Sequence, residues 1–215
     1  MMKTILCFGD SNTWGYNAEA TLLAPVRHSP EVRWPGALSR TLGEGYRVLE
    51  DAQNGRTTVH DDPLAPVCRN ASRYLPSCLD AHKPIDIVVL MLGTNDLKTF
   101  MNLPPQDITG GIAILLKQIA RSEAGPNGTA PQVLLVAPPA IGDMSALPDL
   151  NARFANARAK SLELPRHYAA LARANGIAFL DAQPLTEASP LDAIHLDAAS
   201  HERLGKAVAM SIRGM

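Results

Sequence analysis

Thr4-Ile5-Leu6-Cys7-Phe8-Gly9-Asp10-Ser11 is an apolar run that ends in a small, polar turn. The run is short and lacks strict polar/apolar alternation, so it reads as a strand covered on both faces. Four further runs rich in Val, Ile and Leu follow: Arg47–Glu50, Ile85–Leu92, Val133–Ala137 and Ile177–Leu180. Helical candidates lie between and after them. Pro35–Leu42 is short. Asp107–Ser122 opens on an acidic residue able to cap and closes near Gly125-Pro126. Asn151–Ala174 is long, with Gly176 as its stop, and Pro165 inside it is expected to kink or split it. Ser200–Arg213 is the last, with Ser200 as its cap.

This alternation implies right-handed crossovers and a parallel sheet with helices on both faces. Five strands predict a flavodoxin-like, three-layer α/β/α sandwich with strand order 2-1-3-4-5. Ligands in such sheets bind beyond the carboxyl ends of the strands, at the switch point between strands 1 and 3. Ser11 follows strand 1, Gly55 follows strand 2 and Asn95 follows strand 3. The expected fold therefore brings together three residues far apart in sequence. No repeat or linker divides the chain, and residues 1–215 read as a single domain.

Composition excludes several classes of function. Hydrophobic residues make up 46% of the 215 and charged residues 19%, which suits a packed globular chain. The net charge is -1 and the Lys and Arg residues are scattered, so no concentrated positive surface for nucleic acid is expected. Cys7, Cys68 and Cys78 are an odd number at unrelated spacings, which fits reduced thiols and a cytoplasmic location. Thr4–Phe8 is too short for a signal-peptide core, and no segment approaches the length of a membrane span. The matches to the glycosylation pattern at Asn70 and Asn127 are then coincidental.

Four motifs carry chemistry. Gly9-Asp10-Ser11 puts a hydroxyl at a strand-to-helix turn, where a free amide can stabilise negative charge and Asp10 can bond to nearby amides. Taken alone, Ser11 fits a helix cap as well as a nucleophile. Asn54-Gly55-Arg56 can present a bare N–H, or be an ordinary turn. Gly93-Thr94-Asn95-Asp96 offers a side-chain amide as an oxyanion donor, or an Asn bonding loop backbone, with Asp96 a cap for the next segment of chain. Asp192-Ala193-Ile194-His195 spaces a carboxylate and an imidazole so that one turn aims both the same way. Together they supply nucleophile, base, orienting carboxylate and oxyanion donors, the parts of a serine esterase. His60-Asp61-Asp62 lacks further ligands for a metal, and His28, His82, His167 and His201 read as isolated surface or helix residues. No metal and no cofactor is expected. A flavodoxin-like binding module without turnover is the rival from another class.

At these residues the chain resembles the SGNH (GDSL-type) hydrolase family. Its letters match Ser11, Gly55, Asn95 and His195, and Asp192 matches its carboxylate. A narrower likeness, to a bacterial arylesterase/acyltransferase branch, runs through Ile5–Gly15, Val32-Arg33-Trp34, Arg56-Thr57-Thr58, Tyr74–Leu79 and Met91–Asp96. The resemblance implies hydrolysis of short-chain esters, aryl esters included, with acyl transfer to alcohols or peroxide in some members. Esters of acetylated carbohydrates and thioesters stay open as substrates. It also implies assembly into homo-oligomers, tetramers or octamers among them, with Tyr16–Val32 as an interface arm or an ordered surface loop. On the substrate side we place Asp10, Asn12, Trp14, Lys98, Phe154 and Ile194. Asn12 departs from the Leu of many relatives and is expected to border the site, make it more polar and disfavour transfer to alcohols.

Overall fold

The computed structural model describes residues 2–19 and 26–215. In chain order these form β1 (Lys3–Gly9), α1 (Ser11–Trp14), α2 (Trp34–Leu42), β2 (Tyr46–Ala52), α3 (Ala71–His82) and β3 (Ile87–Met91). There follow α4 (Pro105–Ala120), β4 (Gln132–Ala137), α5 (Pro148–Arg153), α6 (Ala157–Asn175), β5 (Ala178–Asp181) and α7 (Ala198–Arg213). All strands pair in parallel, in the order β2-β1-β3-β4-β5. The expected sheet and layer order are thus present. Part of the proposed interface arm, residues 20–25, lies outside the described residues.

The period of two along each strand explains the two cores. Leu6, Phe8, Val88, Leu90 and Leu135 pack with α3, α4 and α6 on one face. Ile5, Cys7, Ile87, Val89 and Leu134 pack with α2 and α7 on the other, around Trp34, Leu38, Leu204 and Val208. Both faces being covered, the inner strands are apolar without a break, whereas the edge strands β2 and β5 are only half-buried. No helix among the described residues is long and apolar enough to cross a membrane.

Several local readings are corrected. The helix α3 was not anticipated, because Pro76 and its polar residues hide the periodicity. Asn70 caps it, accepting from the Ser72 N–H at 3.0 Å. Asp107 lies inside the first turn of α4 rather than capping it. Asp197, not Ser200, caps α7, accepting from the Ser200 N–H at 2.7 Å. Pro165 does not split the long helix; the break falls at residues 154–156, where Asn156 adopts φ 62° between α5 and α6.

Both internal prolines are accommodated in the same way. Proline at position i leaves the carbonyl of i−4 without its helical donor. For Pro76 that carbonyl belongs to Ser72, and it accepts from the Gln118 Nε2 of α4 at 2.8 Å. For Pro165 it belongs to Ser161, and it accepts from the Gln183 Nε2 at 2.7 Å. Replacing either glutamine by Leu should cost about 1 kcal/mol or more in urea unfolding, by leaving a partly buried acceptor unpaired. Restoring the helical donor with Pro76→Ala should remove most of the Gln118→Leu penalty. Additive penalties in that double-mutant cycle would refute the compensation.

Candidate active site

Three loops at the carboxyl ends of β1, β2 and β3 build one wall of the site. After β1, Asp10 is the cap of α1, accepting from the Asn12 N–H at 3.0 Å. Ser11 is therefore not the cap, and its hydroxyl is left for other partners. Gly9 is required by close approach: a Cβ there would lie 2.0 Å from the Thr13 Oγ1. After β2, Gly55 has φ +80°, a conformation that disfavours any side chain. After β3, Asn95 opens a single 3₁₀ turn, Asn95–Leu97.

Neighbouring residues hold these loops to one another. Asp96 is fully buried and is not a cap. It accepts from the Thr58 N–H at 3.0 Å and from the Thr58 hydroxyl at 2.6 Å. The Asn95 Nδ2 donates to the Arg56 carbonyl at 3.1 Å. The Arg56 guanidinium lies 4.2 Å from the Phe8 ring centroid and 5.2 Å from that of Tyr74. It also donates to the Gly9 and Asp51 carbonyls at 3.0 and 2.9 Å, tying the ends of β1 and β2 together. Burial pushes the Asp96 carboxyl up to about 7 and that of Asp10 up to about 6.

The opposite wall comes from the loop before α7. The Asp192 Oδ2 lies 2.6 Å from the His195 Nδ1, and its Oδ1 accepts from the Ile194 and His195 N–H groups, each at 2.9 Å. Burial, the largest influence on Asp192, pushes its carboxyl up. The hydrogen bond and charge of His195, with these two amides, outweigh it and hold the carboxyl below its ordinary value. The His195 Nε2 lies 2.9 Å from the Ser11 Oγ. A carboxylate, an imidazole and a hydroxyl thus form one hydrogen-bonded chain across the sheet's switch point. Such a chain can draw a proton from the hydroxyl and return it to a leaving group. The Ser11 and Gly55 N–H groups donate to no protein acceptor among the described residues.

Ser11, Gly55, Asn95, Asp192 and His195 line one cavity of about 540 Å³. Lys98, Phe154 and Ile194 line it too. A smaller hollow of about 230 Å³ lies beside it, sharing Phe154 but none of the polar chain. The Lys98 Nζ is buried and paired with the Asp62 Oδ2 at 2.6 Å. Asp61 pairs with Arg73, so His60-Asp61-Asp62 is divided among separate contacts. Asp51, Cys78 and His82 also bring donor atoms within 4.8 Å of one another, but Asp51 already holds Arg56 and accepts from Tyr74.

Three of the residues placed on the substrate side are absent from the cavity wall. Asp10 is the buried cap just described. Trp14 turns away, toward Arg27, whose Cζ lies 4.9 Å from its ring centroid. The aromatic at the site is Tyr16, which lines the cavity and stacks on His195 with ring centroids 4.2 Å apart. Only its nearness to the Gly9-Asp10-Ser11 turn hinted at it. Asn12 does not make the cavity polar either. Its Nδ2 donates to the Ile194 carbonyl at 3.2 Å and its Oδ1 accepts from the Leu196 N–H at 3.1 Å. It grips the backbone on both sides of His195. His201, read as a surface or helix residue, is a buried residue of α7. Its Nδ1 accepts from the Trp34 N–H at 3.3 Å, and burial, then His28, lower its pKa to about 3.

Replacing Asn12 by Leu should leave the Ile194 carbonyl and Leu196 N–H unpaired inside the protein. The expected cost is about 1–3 kcal/mol in urea unfolding. An unchanged midpoint would mean that the grip does not hold the His195 loop in place.

The family model of the GDSL-like lipases/acylhydrolases matches residues 7–203. Among solved structures, an aryl esterase from M. smegmatis is 39% identical, with 99% of each chain covered and a TM-score of 0.91. A carbohydrate acetylesterase from Sinorhizobium meliloti is 38% identical, with 99% of each chain covered and a TM-score of 0.92. A second carbohydrate acetylesterase family member from Sinorhizobium meliloti is 36% identical, covering 99% of this chain and 98% of that one, with a TM-score of 0.92. No curated protein matches the chain. A match over nearly all of the sequence, and over the turns that build the site, means that this chain belongs to the GDSL-like lipase/acylhydrolase family and is an esterase of the SGNH type.

Proposed function

We propose that the protein hydrolyses short-chain carboxylic esters, aryl esters included, through an acyl-enzyme on Ser11. The observation that carries this reading is the Asp192–His195–Ser11 hydrogen-bonded chain opening into a cavity that Gly55 and Asn95 share. The Ser11 Oγ attacks the ester carbonyl as the His195 Nε2 takes its proton. The carbonyl oxygen becomes an oxyanion held by the Ser11 and Gly55 N–H groups and by the Asn95 amide. Asn95 has two N–H donors. One fixes its orientation on the Arg56 carbonyl, and the second is for the oxyanion. His195 gives its proton to the departing alcohol. Water then gives one proton to His195 and its oxygen to the acyl carbon, the bond from that carbon to the Ser11 Oγ breaks, and His195 returns the proton to Ser11 as the acid leaves. Asp192 fixes the imidazole tautomer and favours the transient imidazolium.

Acetylated carbohydrates are a second substrate reading, favoured by the acetylesterases among the relatives. The cavity wall of Leu147, Pro148, Leu150, Phe154 and Ile194 suits either a small acyl chain or an aryl group. Transfer to alcohols or peroxide instead of water belongs to the same chemistry, and Asn12, which faces the His195 loop, sets no polar barrier to it. Self-association is part of this reading on the strength of the family likeness. Light scattering should give a mass above that of one chain; a monomer at micromolar concentration would exclude it.

Hydrolysis of p-nitrophenyl acetate should fall by at least about 10³-fold in Ser11→Ala. Asn95→Ala should lose on the order of 10²–10³ in kcat, as expected for one oxyanion donor. Equal turnover in Ser11→Ala would remove the nucleophile, and a loss under about threefold in Asn95→Ala would remove that donor. Across acyl lengths the rate should fall from acetyl toward long chains; a rise would point to a lipase-like substrate.

A further inference from the structure

The turn that ends α1 carries an aromatic ring onto the imidazole. The N–H groups of Gly15 and Tyr16 both donate to the Ser11 carbonyl, at 2.9 and 3.0 Å. Beyond the turn, Tyr16 forms an antiparallel bridge with Arg27. Flanking bonds run from the His28 N–H to the Gly15 carbonyl at 2.8 Å and from the Asn17 N–H to the Val26 carbonyl at 3.0 Å. The backbone of Tyr16 is thus pinned on both sides, and pinned to the residue that carries the reacting hydroxyl. Its ring centroid lies 4.2 Å from that of His195, with 28° between the two planes.

Both nitrogens of the imidazole are already engaged, Nδ1 with Asp192 and Nε2 with Ser11. Tyr16 instead covers one face of the ring, and the His195 side chain is only 14% exposed. Contact with that face has an electrostatic sign. The face of an aromatic ring carries partial negative charge, so it attracts a cation more than a neutral ring, and more strongly where water is excluded. His195 is neutral when substrate binds and positive once it has taken the Ser11 proton. A contact that strengthens between these two states lowers the barrier rather than tightening binding. The other charged or titratable groups that act on His195 are Asp192 on its own loop, the buried Asp10 before α1 and His201 of α7. Asp192 acts from the Nδ1 edge, and Tyr16 acts from the ring face.

We propose that Tyr16 is a positioning residue of the reaction, whose ring holds the plane of His195 and stabilises the imidazolium as it forms. This rests on the esterase reading above and adds a residue outside the Asp192–His195–Ser11 chain. The ring face acts, not the hydroxyl. An aliphatic side chain of similar size would cover the same face without distinguishing the charged imidazole from the neutral one. Formation and hydrolysis of the acyl-enzyme both pass through the imidazolium, so kcat carries the effect whichever step is slower.

The test varies the ring face at nearly constant shape. Tyr16→Phe, and the same substitution with mono-, di- and trifluorinated phenylalanine introduced by nonsense suppression, weaken the negative face step by step. On the pH-independent plateau of p-nitrophenyl acetate hydrolysis, Tyr16→Phe should retain most of kcat, and kcat should fall with each added fluorine while KM changes little. Tyr16→Leu should lose about 2- to 30-fold in kcat, the span expected of a cation–π contact. In parallel, NMR titration of the His195 ring, identified by its loss in His195→Gln, should show a midpoint that moves to lower pH along the same series. Asp10 and Asp96, pushed up to about 6 and about 7, titrate in the same range but are common to every variant. Equal kcat and equal midpoints across the fluorinated series would overturn the proposal and leave the esterase intact. A loss in Tyr16→Leu with no trend across the fluorinated series would make Tyr16 a packing residue and overturn it as well. No turnover by the wild type would overturn the esterase reading, and the proposal with it.

Discussion

A single buried carboxylate fixes the relation between the two loops that flank the reacting centre. Asp96 comes directly after Asn95, and Thr58 comes three residues after Gly55. The carboxylate of one takes both donors of the other. Burial works against that carboxylate, pushing it up to about 7, so its hydrogen bonds are what make the buried position tolerable. With this tie in place, the Asn95 amide reaches the Arg56 carbonyl, and Arg56 in turn closes the ends of β1 and β2. The oxyanion donors we propose are therefore set by loop-to-loop contacts rather than by either strand alone.

The other half of the site is held from across the sheet. Asn12 and His195 are distant in sequence, yet Asn12 bonds to the residues on both sides of the histidine. Ser11 and Asn12 are neighbours on the same short helix. The backbone that positions the hydroxyl therefore also positions the imidazole it meets. This coupling explains how a one-turn helix, too short to be stable by itself, can orient a reacting group.

The sheet order was legible because strands buried on both faces leave continuous apolar runs, and because the motif-bearing turns follow them directly. The turns after β1, β2 and β3 carry Ser11, Gly55 and Asn95, so strand order alone puts these three at one end of the sheet, whereas Asp192 and His195 come from the loop before α7. What escaped was whatever depended on tertiary partners. Helix α3 was hidden by Pro76, whose cost is offset by Gln118 on another helix. Pro165 looked like a break because nothing in sequence reveals that Gln183 reaches back to Ser161. Asn12 looked like a polar lining residue, and only the fold shows that its amide faces the His195 loop. Trp14 and Tyr16 are two residues apart, and which of them meets the histidine depends on the turn after α1, where Gly15 adopts φ 85°.

The most direct measurement is reaction with diethyl p-nitrophenyl phosphate, followed by peptide mass mapping. Attack by an activated serine displaces p-nitrophenol and leaves a diethylphosphoryl group on the attacking oxygen. One adduct per chain, on the peptide containing Ser11 and dependent on His195, is the expected result. An adduct on another residue, or undiminished labelling of Ser11 in His195→Ala, would contradict a nucleophile activated by the Asp192–His195–Ser11 chain.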